Sequence, residues 1–171
     1  MAAPAEKTIS DLSGKWVLGI GYLTRKGIGL ATITLDINQY NAPPKPPNTS
    51  TDVFTHIDIT QSASGLSSTH ENRCLDFNNR EHSDWLFGTV RGRSRFVTLD
   101  EIEEDFLKTG WLTEGDGKFI QSIAESVDNG WVANQIWGFE EINGERRYVR
   151  HILVTKGDKK VTAKLIYDYQ A

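Results

Sequence analysis

The sequence predicts an all-β protein, an antiparallel up-and-down β-barrel of about 8–10 strands with one or two short helices. Hydrophobic residues alternate with period two along most of the chain, and turn residues interrupt this alternation at short intervals. Strands that follow one another through tight turns form a meander, and a meander of this length usually closes into a barrel. Nine strands are predicted, at about 14–18, 30–40, 53–62, 67–77, 84–97, 118–127, 131–142, 145–156 and 159–169.

The length of 171 residues indicates one domain that spans residues 1–171. No apolar run approaches the roughly 18 residues of a membrane span, and the N-terminus lacks the apolar core of a secretory signal. Together with a lone Cys74, which excludes an internal disulfide, these features predict a cytoplasmic protein. The net charge is −4 and the pI about 5.6, so neither nucleic acid nor an anionic membrane is expected as a partner. The oligomeric state stays open, with a homodimer as one alternative.

One short helix is predicted between two strands. Asp100 resembles an N-cap with Glu103 three residues on, and Gly110 ends the segment. Ile102 and Phe106 would share one face of this helix, which needs an apolar surface beneath it. We therefore expect the helix to plug or cover one end of the barrel.

The last strands allow their register to be predicted. Asn143-Gly144 is a two-residue hairpin signal that places Trp137 opposite Arg150 and Phe139 opposite Tyr148. A similar turn at Gly157-Asp158 places Tyr148 opposite Tyr167, and Arg150 opposite Leu165. Directly opposed residues point to the same face of a sheet. The inner face is therefore expected to carry Trp131, Ala133, Gln135, Trp137, Phe139, Tyr148, Arg150, Ile152, Val154, Val161, Ala163, Leu165 and Tyr167.

The preceding strand depends on its loop. If Asp128-Asn129-Gly130 forms a three-residue loop, then Phe119, Gln121, Ile123 and Glu125 also point inward. A two-residue loop would flip the whole strand to the other face.

This aromatic interior carries an unusual number of polar groups. A solid core rarely keeps them, because each costs a few kcal/mol when it is unpaired. A cavity that holds an apolar ligand with a few polar atoms explains them better. The residues expected to bind this ligand are Trp137, Gln135, Phe139, Tyr167, Leu165, Gln121 and Phe119.

Arg150 allows two interpretations. It is either a structural arginine that stacks on a tryptophan at the closed end of the barrel, or a hydrogen-bond donor to a carbonyl or enolate oxygen of the ligand. Both interpretations agree with the sequence, because a buried guanidinium needs an anionic or aromatic partner.

Neither a cofactor nor a metal site is expected. Motifs for dinucleotides, phosphates, hydrolase nucleophiles and zinc are missing from the sequence. The four histidines, His56, His70, His82 and His151, lack the spacing of metal ligands.

A run of arginines, Arg91, Arg93 and Arg95, lies on one face of one predicted strand, where a solvated outer face is the simpler interpretation. Trp85 and Phe87 share the parity of these arginines, which requires a bulge or a covering element.

Two short motifs carry a resemblance. Ser13-Gly14-Lys15-Trp16 resembles the G-x-W opening shared by lipocalins and fatty-acid-binding proteins, and residues 19–26 resemble the G-V-G-x-A-T-R-K portal stretch of the latter. Both families are calycins, so the resemblance implies a calycin-type barrel. The R-x-Y pair with which fatty-acid-binding proteins hold a carboxylate is incomplete here, because Leu165 replaces its arginine while Tyr167 is kept.

A further resemblance covers Trp137 to His151 and Leu165 to Tyr169. These stretches resemble small fungal calycin-like proteins, a group that includes the hetero-Diels–Alderases of tropolone–sesquiterpenoid biosynthesis. The resemblance implies a cofactor-free pericyclase of secondary metabolism that acts on a hydrophobic, polyketide- or terpenoid-like intermediate. Arg150 and Tyr148 would then be the catalytic donors. The alternatives are a non-catalytic lipocalin-like carrier and a calycin isomerase or cyclase that uses acid–base chemistry.

Overall fold

The computed structural model describes residues 1–19, 32–63, 67–84 and 88–171, except for the side chains of Ser67 and Asp84. These residues form ten β-strands, a single 3-10 turn and a one-turn helix. The strands are β1 Gly14–Leu18, β2 Ile33–Ala42, β3 Phe54–Ala63, β4 Ser67–Cys74, β5 Arg80–Asp84, β6 Gly88–Val97, β7 Phe119–Ser126, β8 Val132–Ile142, β9 Glu145–Lys156 and β10 Lys159–Gln170. Most of the glycine-rich stretch 19–29, and both Trp85 and Phe87, lie outside the described residues.

The strands form one antiparallel sheet in the order β4-β3-β2-β1-β10-β9-β8-β7-β6-β5. Strands that are consecutive in sequence are paired, except β4 and β5, which are the two edges of the sheet. The segment between these edges is bonded to both sides: Leu75 donates its N–H to the carbonyl of Thr55 in β3, and Phe77 donates to that of Ser94 in β6, both at 2.9 Å. The sheet therefore curls into a half-barrel, and the predicted all-β, up-and-down fold is confirmed.

The register predicted for β8, β9 and β10 is confirmed. Trp137 pairs with Arg150, Phe139 with Tyr148, and Tyr148 with Tyr167. The β8–β9 hairpin turns at Asn143 and Gly144, whose φ angles of 53° and 78° are both positive. A two-residue hairpin needs this left-handed conformation, which Asn-Gly adopts readily.

The register predicted for β7 is wrong. The amide of Ser126 donates to the carbonyl of Trp131 at 2.8 Å, so the loop between them has four residues and not three. An even loop length reverses the parity of the strand. Ile120, Ser122 and Ala124 therefore face inward, opposite Trp137, Gln135 and Ala133. Phe119, Gln121, Ile123 and Glu125 face outward.

The prediction of a single strand at 84–97 is wrong, because this range contains the end of β5 and the whole of β6, which pair with each other in antiparallel orientation. β6 begins at Gly88 and pairs with β5, a polar strand that the alternation of hydrophobic residues did not reveal. The arginines of β6 lie on the outer face, as predicted, and each pairs with a neighbouring carboxylate: Arg91 with Glu81, Arg93 with Glu125 and Arg95 with Glu101.

The predicted helix begins later than expected. A 3-10 turn at Leu99–Glu101 comes first, and α1 is limited to Asp105–Lys108. The N-cap of the turn is Thr98, whose amide and hydroxyl donate to the Glu101 carboxylate at 2.9 and 3.2 Å. Asp100 and Glu103 are therefore not the capping pair, because Thr98 competes successfully for this role.

Residues 98–112, which we call the strap, lie across the outer face of β8 and β9. Ile102 packs there in a second apolar cluster with Ile136. Gly138 makes room for the strap, because a Cβ at this position would lie 2.8 Å from the Trp111 ring. The expectation that this segment plugs a barrel end is wrong, because the outer face has an apolar surface of its own.

A buried ionic cluster joins the strap to the sheet. His151 lies 2.8 Å from the Phe106 carbonyl through Nδ1 and 2.6 Å from the Glu140 carboxylate through Nε2. Lys164 donates to the same carboxylate at 2.8 Å. Burial alone would raise the pKa of Glu140, but the hydrogen bonds from His151 and Lys164 outweigh this and hold its pKa below its ordinary value.

The two ends of the described interior differ in how far their residues are buried. Ile9 and Leu12, from the N-terminal segment, pack against Trp16 in an aromatic core at the first end. At the second end, where β9 turns into β10, the inward-facing Val161 is 64% exposed and Ala163 is exposed as well. The interior is therefore packed at the end near Trp16, while inward-facing residues beside the β9–β10 turn are exposed.

The ionic cluster predicts a pH dependence of stability. Ionised Glu140 stabilises the fold above its ordinary pKa of 4.5, and this contribution is lost as the pH falls below that value through the lowered pKa of the folded state. Urea unfolding should therefore show the free energy of unfolding falling more steeply between about pH 5 and about pH 3 for wild type than for Glu140→Gln.

The exposed neighbour Glu141 provides the control, since Glu141→Gln should retain the wild-type slope. Equal slopes for wild type and Glu140→Gln would show that the cluster does not hold this carboxylate ionised.

Candidate functional site

Arg150 is the centre of the polar groups in the interior. Its side chain is 5% exposed, and its Nε donates to the hydroxyl of Tyr148 at 2.8 Å. The guanidinium carbon lies 3.9 Å from the centre of the Trp137 ring, and 5.4 Å from that of Tyr167. Its Nη2 is buried and has no hydrogen-bond partner within the described part of the chain. A buried donor without a partner costs free energy, so this atom indicates a missing acceptor.

Tyr148 is a neutral phenol at all ordinary pH values. Burial raises its pKa to about 12, although the adjacent Arg150 charge lowers it in part. Its oxygen accepts the hydrogen bond from Arg150, which leaves the hydroxyl hydrogen available to an acceptor in the interior. Burial would lower the pKa of Arg150, but Tyr148, Tyr167 and Glu71 keep it above its ordinary value. The pair therefore presents one fixed cation and one neutral donor.

The indole of Trp137 is held in place from both ends. Its Nε1 donates to the Gln135 side chain at 3.0 Å, and Arg150 covers its ring. Tyr167 stacks on Tyr148 with ring centres 5.3 Å apart, and Leu165 packs beside them, half-buried. Trp137, Tyr148 and Tyr167 therefore form one aromatic surface. Hydrogen bonds fix the orientation of the Trp137 indole N–H and of the Tyr148 hydroxyl.

β4 contributes a second polar group that the sequence analysis missed. Arg73 reaches from β4 to β7, where it donates to the hydroxyl of Ser122 at 2.6 Å. It also pairs with Glu71 at 2.8 Å, and its guanidinium carbon lies 5.3 Å from the Trp137 ring centre. Both residues share the inward parity of Ile57 and Ile59 on β3, which is the signal that could have identified them.

Seven of the nine predicted site residues face the interior. Arg150, Tyr148, Trp137, Gln135, Tyr167 and Leu165 lie together, whereas Phe139 lies deeper, against Trp16 in the aromatic core.

The remaining two predicted site residues do not reach the interior. Phe119 packs under the strap, and Gln121 bonds to Arg95 and Asn134 on the outer face. Their predicted facing is wrong for the reason given for β7.

The other polar groups of the described chain suggest no separate centre. Within residues 1–19, 32–63, 67–84 and 88–171, no group of three acidic, histidine or cysteine side chains is arranged to hold a metal ion. Cys74 is buried, which raises the pKa of its thiol, and its neighbour His56 directs Nε2 at the carbonyl of Pro43, 3.0 Å away. No helix in this part of the chain is long and apolar enough to cross a membrane.

Comparison with known proteins identifies the family. The chain is 31% identical over 185 residues to the probable pericyclase scpY of Mollisia scopiformis, and the match covers 98% of this chain and 94% of scpY. The chain belongs to the same family as scpY. A second relative, the pericyclase pydY of Acremonium sp., is 36% identical over 107 residues, which are 61% of this chain and 57% of pydY. No family model matches the chain, and no solved structure gives a significant match.

The match to scpY extends over nearly the whole of both proteins, so the residues of the interior site all fall within the length that the two share. The strands that position Arg150, Tyr148, Trp137 and Arg73 therefore lie within the region that this chain shares with scpY.

Replacement of Arg150 and replacement of Arg146 should change the free energy of unfolding by different amounts. Arg150→Met removes a buried charge that has no carboxylate salt-bridge partner among the described residues, so relief of desolvation offsets the lost stacking. We expect the free energy of unfolding to change by less than about 1 kcal/mol in urea denaturation.

Arg146→Met is the matched control. Arg146 covers the Phe139 ring and donates to Glu114 at 2.6 Å and to the carbonyls of Pro4 and Lys7. Its loss should cost about 2 kcal/mol, because these acceptors lose their donor. A similar cost for Arg150→Met would mark Arg150 as a structural residue.

Proposed function

We propose that this protein is a pericyclase of fungal secondary metabolism, which binds an apolar, partly oxygenated natural-product intermediate inside the half-barrel. The observation that carries the proposal is the Arg150–Tyr148 pair, which offers a cation and a neutral donor beside the Trp137 ring. Membership in the family of scpY supports it, because scpY is itself named a probable pericyclase.

Confinement supplies the first part of the catalysis. When reacting groups are held together in one site, much of the entropic barrier is already met, an effect that reaches about 7–11 kcal/mol in the most favourable cases. The aromatic rings of Trp137, Tyr148 and Tyr167 provide flat apolar surfaces against which an extended conjugated substrate can be folded. Their fixed positions favour one relative orientation of the reacting groups and hence one stereoisomer.

Hydrogen bonding supplies the second part. We propose a hetero-Diels–Alder reaction, in which the oxygen of a heterodiene gains negative charge as the new bonds form. Arg150 Nη2 and the Tyr148 hydroxyl are the donors that meet this oxygen. Donors that are oriented before the reaction stabilise developing charge strongly in a site from which water is excluded. A cycloaddition exchanges no electron, hydride or group with the protein, so we propose that no cofactor takes part.

The same proposal includes the finer family and the setting. We propose that the half-barrel is of the calycin type, that its substrate is a polyketide- or terpenoid-like intermediate of the tropolone–sesquiterpenoid kind, and that the protein works in the cytosol as a single domain. The G-x-W opening supports the calycin assignment, since Trp16 is fully buried in the aromatic core where the first strand begins.

The donor role predicts the effect of two conservative substitutions. Arg150→Met and Tyr148→Phe keep the approximate volume of each side chain and remove the donor. Each should lower the rate of cycloaddition by about one to three orders of magnitude. Stereoselectivity should fall less than the rate, because the aromatic surfaces that orient the reactants remain. The assay is chiral chromatography of the products formed from a quinone-methide precursor and an alkene, with and without protein.

Outer-face residues give matched controls. Arg91→Met removes an exposed arginine that pairs with Glu81, and Tyr40→Phe removes a hydroxyl from a ring that stacks on His56 outside the barrel. Both variants should keep the wild-type rate and product ratio. If wild type and a protein-free reaction give the same rate and the same stereoisomers, the protein is a carrier and not a pericyclase.

A further inference from the structure

The interior site carries an unbalanced charge. Two guanidinium groups, Arg73 and Arg150, approach the same Trp137 ring, at 5.3 and 3.9 Å. The carboxylate among them is Glu71, which is 2.8 Å from Arg73. The described interior groups at this ring therefore sum to one net positive charge.

The carboxylate is already used by one of the two cations. Arg73 holds the pKa of Glu71 below its ordinary value, although burial opposes this, and the more distant Arg150 adds to the effect. Arg150 itself makes no salt bridge to a carboxylate within the described residues; it donates to the Tyr148 hydroxyl and lies over aromatic rings. An isolated buried charge is costly, so a site that retains one has a use for it.

Unused donors occur on both cations. Arg73 Nε and Arg150 Nη2 are each buried without a hydrogen-bond partner in the described chain. One lies on a side chain from β4 and the other on a side chain from β9, so they approach the Trp137 ring from different strands of the half-barrel. An anionic oxygen would accept hydrogen bonds from the two unpaired donors and would balance the one net positive charge.

We propose that the substrate carries an acidic oxygen, that of an enol, phenol or carboxylic acid, which binds as its anion between Arg73 and Arg150 beside Trp137. The inference rests on the proposed function for the identity of the ligand as a substrate, and it narrows the class of that substrate. Glu71 is a positioning residue: it holds Arg73 against the indole and limits the site to one net positive charge, which matches a ligand with one negative charge.

A phenol whose anion is coloured tests this site directly. 4-Nitrophenol ionises near neutral pH and its phenolate is yellow, while 4-nitroanisole is its neutral methyl ether. The titration is performed at about pH 8, where most of the free 4-nitrophenol is present as its phenolate. Wild type should bind the phenolate at least about tenfold more tightly than the ether, and a tenfold preference for the anion lowers the pKa of the bound phenol by about one unit.

Three variants separate the roles of the charged groups. Arg73→Met and Arg150→Met should each reduce the preference for the phenolate by about tenfold while binding of the ether is unchanged. Glu71→Gln should raise the preference, because it removes the competing carboxylate. The outer-face variant Arg91→Met should behave as wild type, and Arg73→Lys, which retains the charge, should recover part of the preference.

Several outcomes would overturn the inference. Equal binding of phenolate and ether by wild type, a raised pKa of the bound phenol, or a lower anion preference in Glu71→Gln would each contradict it. Binding of neither compound would also contradict it, because the site would then be closed to small aromatic anions. The readout is binding and not catalysis, so anion preference without cycloaddition would remove the proposed function alone, and cycloaddition without anion preference would remove this inference alone.

Discussion

The stacking of the Arg150 guanidinium on the Trp137 ring is the interaction on which the interior depends. It places a full positive charge inside an aromatic half-barrel without a carboxylate salt-bridge partner among the described residues, and the guanidinium carbon lies 3.9 Å from the centre of the ring. The Arg150 guanidinium also fixes Tyr148 through the hydrogen bond to its hydroxyl. Gln135 fixes the N–H edge of the Trp137 indole. The directions of the donors in the site therefore follow from one cation–π contact, which is worth about 2 kcal/mol when desolvated.

This arrangement differs from the way in which two other charged groups, Glu140 and Arg146, are held. On the outer face, the Glu140 carboxylate is hydrogen-bonded to both His151 and Lys164, and this cluster fastens the strap to the sheet. At the closed end, Arg146 is fully used by Glu114 and by main-chain carbonyls. Glu140 and Arg146 thus each have an oppositely charged partner, whereas Arg150 has no carboxylate salt-bridge partner among the described residues and keeps an unused donor. A donor that the fold itself does not use is what binding and catalysis require.

The sequence predicted the parts of the site whose register was determined by short turns. Asn143-Gly144 and Gly157-Asp158 each allow only one pairing, and this was enough to bring Trp137, Tyr148, Arg150 and Tyr167 to one face. The sequence of loop 127–130 does not determine the loop length in this way. The predicted length of three residues is one shorter than the observed four, and this difference places β7 on the wrong face. Glu71 and Arg73 were missed because the strand that carries them is polar and its connection to β3 contains no two-residue turn signal. Charged residues on an inner face can be predicted only when the pairing register of their strand is known.

We propose that Arg150 Nη2 has no partner within the described protein because this donor meets an oxygen of the substrate. A crystal structure with the cycloaddition product bound tests this most directly. We expect a product oxygen within about 3 Å of Arg150 Nη2, with the product lying against the Trp137 ring. A product bound on the outer face, or one bound in the interior while Nη2 pairs with a protein group instead, would contradict it.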